Sequence, residues 1–226
     1  MTDALSPRDS VLARIREKLG SKSLATDDAI RQEHASIGRL YQRKGTLAGG
    51  GRLQLFIERL EDYDAHVVRT TSEDVLATID ATLADAGIDS VLLPAGFPEG
   101  WLPTTAQIVR DAASDGTPLA NATLDHMHTV LTTASMGIAE TGTLVLEHGA
   151  GEGRRALTLI PDRHLCVVRA SQVVETVPEA FAGMQRRGTQ PLTLISGPSA
   201  TSDIEMTRIR GVHGPRHLTV ILIDGM

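Results

Sequence analysis

The amino-acid sequence predicts an α/β fold in which an open, mostly parallel sheet is flanked by helices. Between residues 52 and 113, segments with helical spacing of apolar residues alternate with short apolar runs of strand length. The second half of the chain adds further apolar runs that are too continuous for strands with one face in water. Such runs, interleaved with helices, are typical of a sheet that is covered on both faces.

The beginning of the chain predicts a helical arm over residues 1–50, ahead of an α/β domain over residues 51–226. Apolar residues recur at helical spacing in residues 9–20, and residues 26–44 predict a weakly amphipathic helix. A glycine-rich stretch over residues 45–51 then interrupts the helical pattern. We expect the arm either to pack on a partner or another subunit, or to be a loosely attached surface helix.

The α/β domain begins with alternating elements. The predicted order is helix 52–62, strand 66–70, helix 72–86 and strand 90–94. This strand–helix–strand succession predicts a right-handed crossover between parallel strands. A further helix is expected over residues 104–113. Later strands are expected at residues 129–133, 143–147, 156–160, 164–169, 191–196 and 217–223, with residues 173–187 partly helical and a short helix starting near Ser202.

Composition and charge exclude several classes of protein. The chain has 226 residues, 41% of them hydrophobic, and its formal net charge of −6 leaves no basic excess for binding nucleic acid. No stretch approaches the roughly 20 apolar residues of a membrane span, and the N-terminus lacks the pattern of a signal peptide. We therefore expect a cytoplasmic protein with no nucleic-acid partner, and the sequence leaves its oligomeric state open.

Cysteine and histidine residues indicate no metal or cofactor site. The single cysteine, Cys166, lies in an apolar run, so no thiolate cluster can assemble within the chain and a buried thiol is expected. His126 and His128 would share one face of a strand, but a metal needs a third ligand from elsewhere. Residues 149–153 have the glycine content of a dinucleotide loop, yet a strand is expected after them, so we predict a hairpin tip. We expect no cofactor and no metal.

The segment 136–146 contains the most specific chemistry in the sequence. Apolar runs on either side predict two strands, joined by a turn with two glycines, two threonines and the carboxylate of Glu140. Gly137 and Gly142 can adopt a positive φ or allow close approach of another group. Glu140 is therefore expected on a tight connection at strand ends, where open α/β sheets bind ligands. The alternative is a polar hairpin turn with one exposed acid.

Two further motifs lie towards the C-terminus. Residues 196–205 follow a predicted strand and form a small-residue loop and a helix start, in which Ser202 and Glu205 have the spacing of a capping box. Helix capping explains this motif, and the alternative is that its hydroxyl groups bind a polar ligand. His213 lies in a glycine-containing turn, where it is either a proton carrier or ligand contact, or a histidine bonded to backbone. In residues 162–164 we expect a turn with a local salt bridge.

Taken together, residues 137–143, 196–205 and 211–215 resemble the lactate-utilisation protein C (LutC) family, whose members carry a LUD domain. Their order and spacing also match, and residues 161–164 fit between the first two motifs. The resemblance runs from about residue 52 to the C-terminus. It implies a fold like that of glucosamine-phosphate deaminases, ribose-phosphate isomerases and CoA transferases. It also implies a role in the oxidation of L-lactate to pyruvate beside iron–sulfur partner subunits.

From this resemblance we predict a non-redox component of an L-lactate utilisation system, which binds a small ligand or a partner near Glu140. Glu140 is the candidate catalytic residue. The candidate ligand-binding residues are Thr141, Gly142, Thr143, Ser196, Gly197, Ser199, Asp203 and His213. Two alternatives remain. One is an enzyme like a CoA transferase or an isomerase that uses Glu140 as nucleophile or base, and the other is a regulatory protein that binds a ligand without consuming it.

Overall fold

The computed structural model describes residues 6–19, 27–38, 42–112, 116–184, 191–201, 209–210 and 214–225. The chain divides into two compact units, Met1–Tyr41 and Gln42–Met226. The first unit contains helices α1 (Pro7–Leu19) and α2 (Asp27–Ser36), which lie in the two segments where the sequence predicts helices. The predicted domain boundary at residue 50 stays a prediction.

The second unit carries the α/β fold. Its elements, in chain order, are α3 (Gly49–Asp62), β1 (His66–Thr71), α4 (Val75–Asp85), β2 (Ser90–Leu93), β3 (Gln107–Arg110), α5 (Asn121–Asp125), β4 (Thr129–Thr133), β5 (Met136–Ile138), β6 (Thr143–Leu146), β7 (Arg163–Arg169), β8 (Val173–Val174), α6 (Val177–Met184), β9 (Thr193–Ile195), β10 (Ala200–Thr201), β11 (Ile209–Arg210) and β12 (His217–Asp224). Within the described stretches, none of the helices is both long and apolar enough to cross a bilayer.

Six strands form an open sheet in the order β1-β12-β7-β4-β2-β3, and every neighbouring pair is parallel. This sheet confirms the predicted α/β class. The expected strand–helix–strand unit is present as β1, α4 and β2, but β12, β7 and β4 lie between its two strands. Periodicity marks where a strand is, whereas its neighbours are chosen by contacts between segments far apart in the chain.

A second, four-stranded sheet has the order β8-β5-β6-β9. Its centre is the antiparallel hairpin of β5 and β6, and β9 adds antiparallel to β6. The sequence predicts that the apolar run around Val130 and Leu131 is the strand before the Glu140 turn. That prediction is wrong, because β4 belongs to the six-stranded sheet and the shorter β5 forms the hairpin.

The six-stranded sheet is covered on both faces. Successive side chains of a strand point to opposite sides, so the contacts of β12 identify what covers each face. On β12, Val220 and Leu222 belong to the same buried cluster as Phe56 of α3 and the leucines of β6. Ile221 and Ile223 belong instead to the cluster formed with α4. One face of the sheet therefore packs on α3 and the smaller sheet, and the other packs on α4.

Two predicted elements are wrong. A helix is predicted over residues 104–113, but the described part of this segment, residues 104–112, contains β3, which pairs with β2. Residues 156–160 do not form a strand, because Arg155–Thr158 is a 3₁₀ turn whose Leu157 is buried in a cluster with Leu124. Short apolar runs are compatible with either type of element, so tertiary packing decides between them.

Candidate functional site

Glu140 lies in a tight turn that joins β5 to β6. Gly142 closes the turn by donating its N–H to the carbonyl oxygen of Ala139 at 3.3 Å. The φ of Gly142 is +56°, and a Cβ at this position would lie 2.6 Å from the carbonyl carbon of Arg59. Glycine is therefore required both by the backbone conformation and by the close approach of α3. The side chain of Glu140 is exposed.

Glu175 anchors this turn to the rest of the domain. Its carbonyl oxygen accepts a hydrogen bond from the N–H of Glu140 at 2.9 Å. Its carboxylate is 9% exposed and accepts from the N–H groups of Thr46 at 2.9 Å and Leu47 at 2.6 Å. The Glu175 carboxylate thus satisfies backbone donors that would otherwise lack partners. Glu140 consequently projects from a backbone that is fixed on both sides.

The location of the turn differs from the expectation. The sequence predicts that Glu140 lies at the strand ends of the open sheet, where ligands bind in folds of this class. The turn instead belongs to the smaller sheet. A catalytic role for Glu140 stays a prediction.

Replacing Glu175 with glutamine should lower the free energy of unfolding by about 1–3 kcal/mol, because an amide NH₂ would face a backbone N–H that now has an acceptor. Urea denaturation measures this change. Glu140→Gln is the matched control, because it makes the same chemical change on an exposed side chain. We expect this control to remain within about 0.5 kcal/mol of the wild type. Equal free energies of unfolding for the two variants would show that the second carboxylate oxygen and the negative charge of Glu175 do not stabilise the segment at Thr46 and Leu47.

Three of the predicted ligand residues form a chain of hydroxyl groups. The Oγ1 atom of Thr143 lies 2.7 Å from Oγ1 of Thr141 and 2.7 Å from Oγ of Ser196. The next residue, Gly197, has a φ of +85°, and a Cβ there would lie 2.6 Å from Cβ of Tyr63. The structure therefore brings the Glu140 hairpin into contact with the loop that follows β9.

A cavity of about 390 Å³ lies beside this loop. The described residues that line it come from five places: the 3₁₀ turn (Arg155, Thr158, Leu159), β7 (His164), β9 (Thr193, Leu194, Ile195), the loop after it (Ser196, Gly197, Pro198, Ser199, Ala200) and the start of β12 with the segment before it (Gly214, Pro215, Leu218). Ser199 donates its N–H to the carbonyl oxygen of Pro215 at 2.8 Å, which joins the loop to that segment. The volume lies in the range of about 300–1,000 Å³ that is typical of small-molecule sites.

Two predicted contacts cannot be placed in this cavity. Asp203 and His213 lie outside the described residues, and so does the proposed capping box of Ser202 and Glu205. Gly214, which follows His213 in the chain, does line the cavity.

His164 is a site residue that the sequence interpretation missed. Its ring is 1% exposed, and Nε2 lies 2.8 Å from Oγ1 of Thr132. Within the described part of the chain, Nδ1 is buried and has no hydrogen-bond partner. Burial lowers the pKa of His164 from 6.5 to about 4, so the imidazole is neutral at physiological pH.

The expected local salt bridge in residues 162–164 is also absent among the described residues. Asp162 instead pairs with Arg216, whose guanidinium donates to the carboxylate and holds the pKa of Asp162 below its usual value. His164 is already inside strand β7, and it shares a face with the buried side chains of Cys166 and Val168. The continuous apolar run Leu165–Val168 directly after His164 was the signal for a buried histidine.

A second cleft, of about 480 Å³, lies at the carboxyl ends of β4 and β7. Glu152 is 5% exposed, and its carboxylate accepts from the hydroxyl of Ser135 and, at 2.5 Å, from the N–H of Glu147. Glu147 is 7% exposed and lines the same cleft. The carboxyl ends of parallel strands are the usual location of ligand sites in open α/β sheets.

The backbone beside this cleft corrects a further prediction. Residues 149–153 were expected to be a hairpin tip, but Gly151 and Glu152 are buried. The carbonyl oxygen of Gly151 accepts from the N–H of Thr133 at 2.8 Å, and a Cβ on Gly151 would lie 2.7 Å from Oγ1 of Thr133. The glycines therefore permit the backbone to pack against the end of β4. Glycine near a strand can indicate such close packing of backbone as well as a turn.

No metal centre is formed by the residues that the structure describes, since none of their His, Cys, Asp and Glu side chains gather in groups of three or more that could hold an ion. Cys166 is fully buried, and burial raises the pKa of its thiol to about 12, so it is protonated and unreactive. His126 and His128 lie between α5 and β4 rather than on a strand, so the argument that they share a face fails.

The protein-family model of the LUD domain matches residues 53–223 of this chain. The chain belongs to the LUD domain family. A lactate utilization protein C from Deinococcus radiodurans is 45% identical over 174 residues, which cover 76% of this chain and 79% of that protein. Another from Bacillus pumilus is 26% identical and covers 99% of each chain. The expected membership of the LutC family is thereby confirmed.

A solved structure also matches this LUD domain. The crystal structure of a DUF162 family protein from Deinococcus radiodurans has 39% sequence identity and a TM-score of 0.65, and the match covers 79% of this chain and 100% of that one. The matched LUD domain begins within α3, so α1 and α2 lie before it. All predicted site residues, from Glu140 to His213, lie inside it.

Proposed function

We propose that this LUD-domain protein is a non-redox component of an L-lactate utilisation system. The observation that carries the proposal is its 45% identity to a Deinococcus radiodurans protein named lactate utilization protein C. The single cysteine cannot provide the several thiolates that hold an iron–sulfur cluster. We assign the electrons from the oxidation of L-lactate to pyruvate to separate iron–sulfur partner subunits, and we place this system in the cytoplasm.

The role of this chain in the system is to bind a small ligand. We place the ligand in the 390 Å³ cavity, in contact with Ser196, Gly197 and Ser199, because these predicted residues line it. Thr141 and Thr143 support the site from the hairpin through the hydroxyl chain that ends at Ser196, and Gly142 closes the turn that carries them. Asp203 and His213 stay predictions from the sequence and are not assigned to this cavity, because they lie outside the described residues.

A second proposal gives Glu140 a chemical role, as the nucleophile or base of a CoA-transferase-like or isomerase-like reaction. The observation that favours it is an exposed carboxylate on a turn whose backbone is held by Glu175 and closed by Gly142. A nucleophile needs such a fixed position relative to its substrate.

Growth of cells that lack this protein tests the main proposal. We expect deletion to abolish growth on L-lactate but not on pyruvate, because the missing step lies between the two compounds. The wild-type gene should restore growth, and cysteine-rich iron–sulfur proteins should co-purify with a tagged copy. Normal growth of the deletion strain on L-lactate would contradict the proposal.

The Glu140→Gln variant in the same cells tests the second proposal. Failure to restore growth, with a melting temperature equal to that of the wild type, would assign Glu140 a working role. Full restoration would refute the transferase and isomerase alternatives and leave Glu140 as an exposed residue of the turn.

A further inference from the structure

Among the residues that the structure describes, Nδ1 of His164 has no hydrogen-bond partner, which indicates that the cavity is built for a ligand with a hydrogen-bonding group. His164 lines the cavity, and only 1% of its surface is exposed. Nε2 is already engaged with Thr132 at 2.8 Å. A buried polar atom without a partner lowers stability, and such atoms are rare in native structures. Nδ1 is therefore the ring nitrogen that is left for a ligand.

Arg155 gives the described wall of the cavity a group that can bind an anion. Among the described lining residues, Arg155 is the charged side chain and no carboxylate is present. Asp162, the described acid closest to His164 in the chain, is already paired with Arg216. A guanidinium group binds a carboxylate through two parallel hydrogen bonds, which gives orientation as well as affinity.

The neutral imidazole selects the second group of the ligand. Thr132 donates its one hydroxyl proton to Sγ of Cys166 at 3.7 Å, so it accepts from Nε2–H of His164, and Nδ1 is the ring nitrogen without a proton. A hydroxyl group donates as well as accepts, so it satisfies Nδ1 of His164. A keto oxygen only accepts, so it cannot form a hydrogen bond with the unprotonated Nδ1.

We therefore propose that this cavity recognises a small hydroxy-carboxylate, with its carboxylate on Arg155 and its hydroxyl on Nδ1 of His164. This inference rests on the proposed function, in which L-lactate is the compound of this class. Because Nδ1 is covered, the ring or the loop over it shifts slightly when the ligand enters. The hydrogen bond gained at Nδ1 stabilises the shifted arrangement.

Calorimetric titration of the purified full-length protein tests the proposal with three probes at matched ionic strength. L-lactate carries both groups, acetate lacks the hydroxyl, and L-lactamide lacks the charge. We expect saturable binding of L-lactate, with acetate and L-lactamide each weaker by about tenfold, since each loses one of the two contacts. Equal affinities for L-lactate and acetate would overturn the role of His164, and equal affinities for L-lactate and L-lactamide would overturn that of Arg155.

Variants assign each contact to its residue. Arg155→Met should remove the preference for L-lactate over L-lactamide, and His164→Leu should remove the preference for L-lactate over acetate. Arg69→Met is the matched control, because Arg69 pairs with Asp224 on the surface and does not line the cavity. This control should keep both preferences.

A measurement on the wild type makes the test independent of the folding of His164→Leu. In nitrogen-detected NMR of the histidine side chains, L-lactate should shift the Nδ1 resonance of His164 more than that of Nε2. No saturable binding of L-lactate, in a protein that still restores growth on L-lactate, would overturn the ligand assignment and leave the proposed function intact. A protein that neither binds L-lactate nor restores growth on L-lactate would reject the proposed function as well.

Discussion

Replacement of Gly142 by alanine should lower the free energy of unfolding by roughly 2–5 kcal/mol. Its φ of +56° is in the left-handed region, where a Cβ clashes with its own backbone. The new Cβ would also lie 2.6 Å from the carbonyl carbon and 2.8 Å from the carbonyl oxygen of Arg59. These are backbone atoms of α3, so they cannot rotate away as the end of a side chain can. Either the Glu140 turn or the helix has to move, and urea denaturation measures the cost.

Gly50→Ala is the matched control for this variant. Gly50 lies within α3, its φ is outside the left-handed region, and a Cβ there would meet no atom within 4 Å. We expect this variant to be as stable as the wild type or more stable by up to about 1 kcal/mol, since alanine favours helix more than glycine does. Wild-type stability of Gly142→Ala would contradict the close packing of the turn on α3.

Acidification from pH 6.5 to pH 4 should remove on the order of 3 kcal/mol of stability through His164 alone. Burial lowers the pKa of this side chain from 6.5 to about 4 in the folded protein. In that window the unfolded chain binds a proton at this position and the folded chain does not, so protonation favours unfolding. The stability that depends on a neutral His164 is fully present above pH 6.5. It is lost as the pH falls towards 4, and below about pH 4 no further stability is lost through this residue.

The His164→Leu variant isolates this contribution from the carboxylates that titrate in the same range. The free energy of unfolding of the wild type and the variant should be measured by urea denaturation at several values between pH 4 and pH 7. Their difference should change by on the order of 3 kcal/mol across the range, in the direction that makes the variant less sensitive to acid. A difference that is independent of pH would show that His164 is accessible to water and titrates normally.

The fold class was predictable because buried strands are marked locally. β2, β4 and β7 lie in apolar runs that can be recognised from a few residues. The order of the strands was not predictable, because nothing in residues 66–71 specifies that β12, from the opposite end of the chain, lies beside β1. The pairing of β3 with β2 also overrides a segment whose local pattern is compatible with a helix.

The candidate site was predictable only where a local pattern of residues marks it. Small residues marked the loop that begins at Ser196, and the hairpin glycine Gly142 marked the turn that contacts it through the hydroxyl chain. His164 was missed because the charged neighbours Asp162 and Arg163 indicated a turn. Glu152 was missed because glycines on both sides of it were interpreted as a loop tip, although here they allow close backbone packing.

The most direct test is the rate at which L-lactate drives the reduction of an artificial electron acceptor in cells that lack this protein. The wild-type gene and Arg69→Met should restore the rate. Arg155→Met should not restore it at low L-lactate, because Arg155 lines the ligand cavity. An undiminished rate in the deletion cells, without any copy of the gene, would contradict a role of this LUD-domain protein in lactate utilisation.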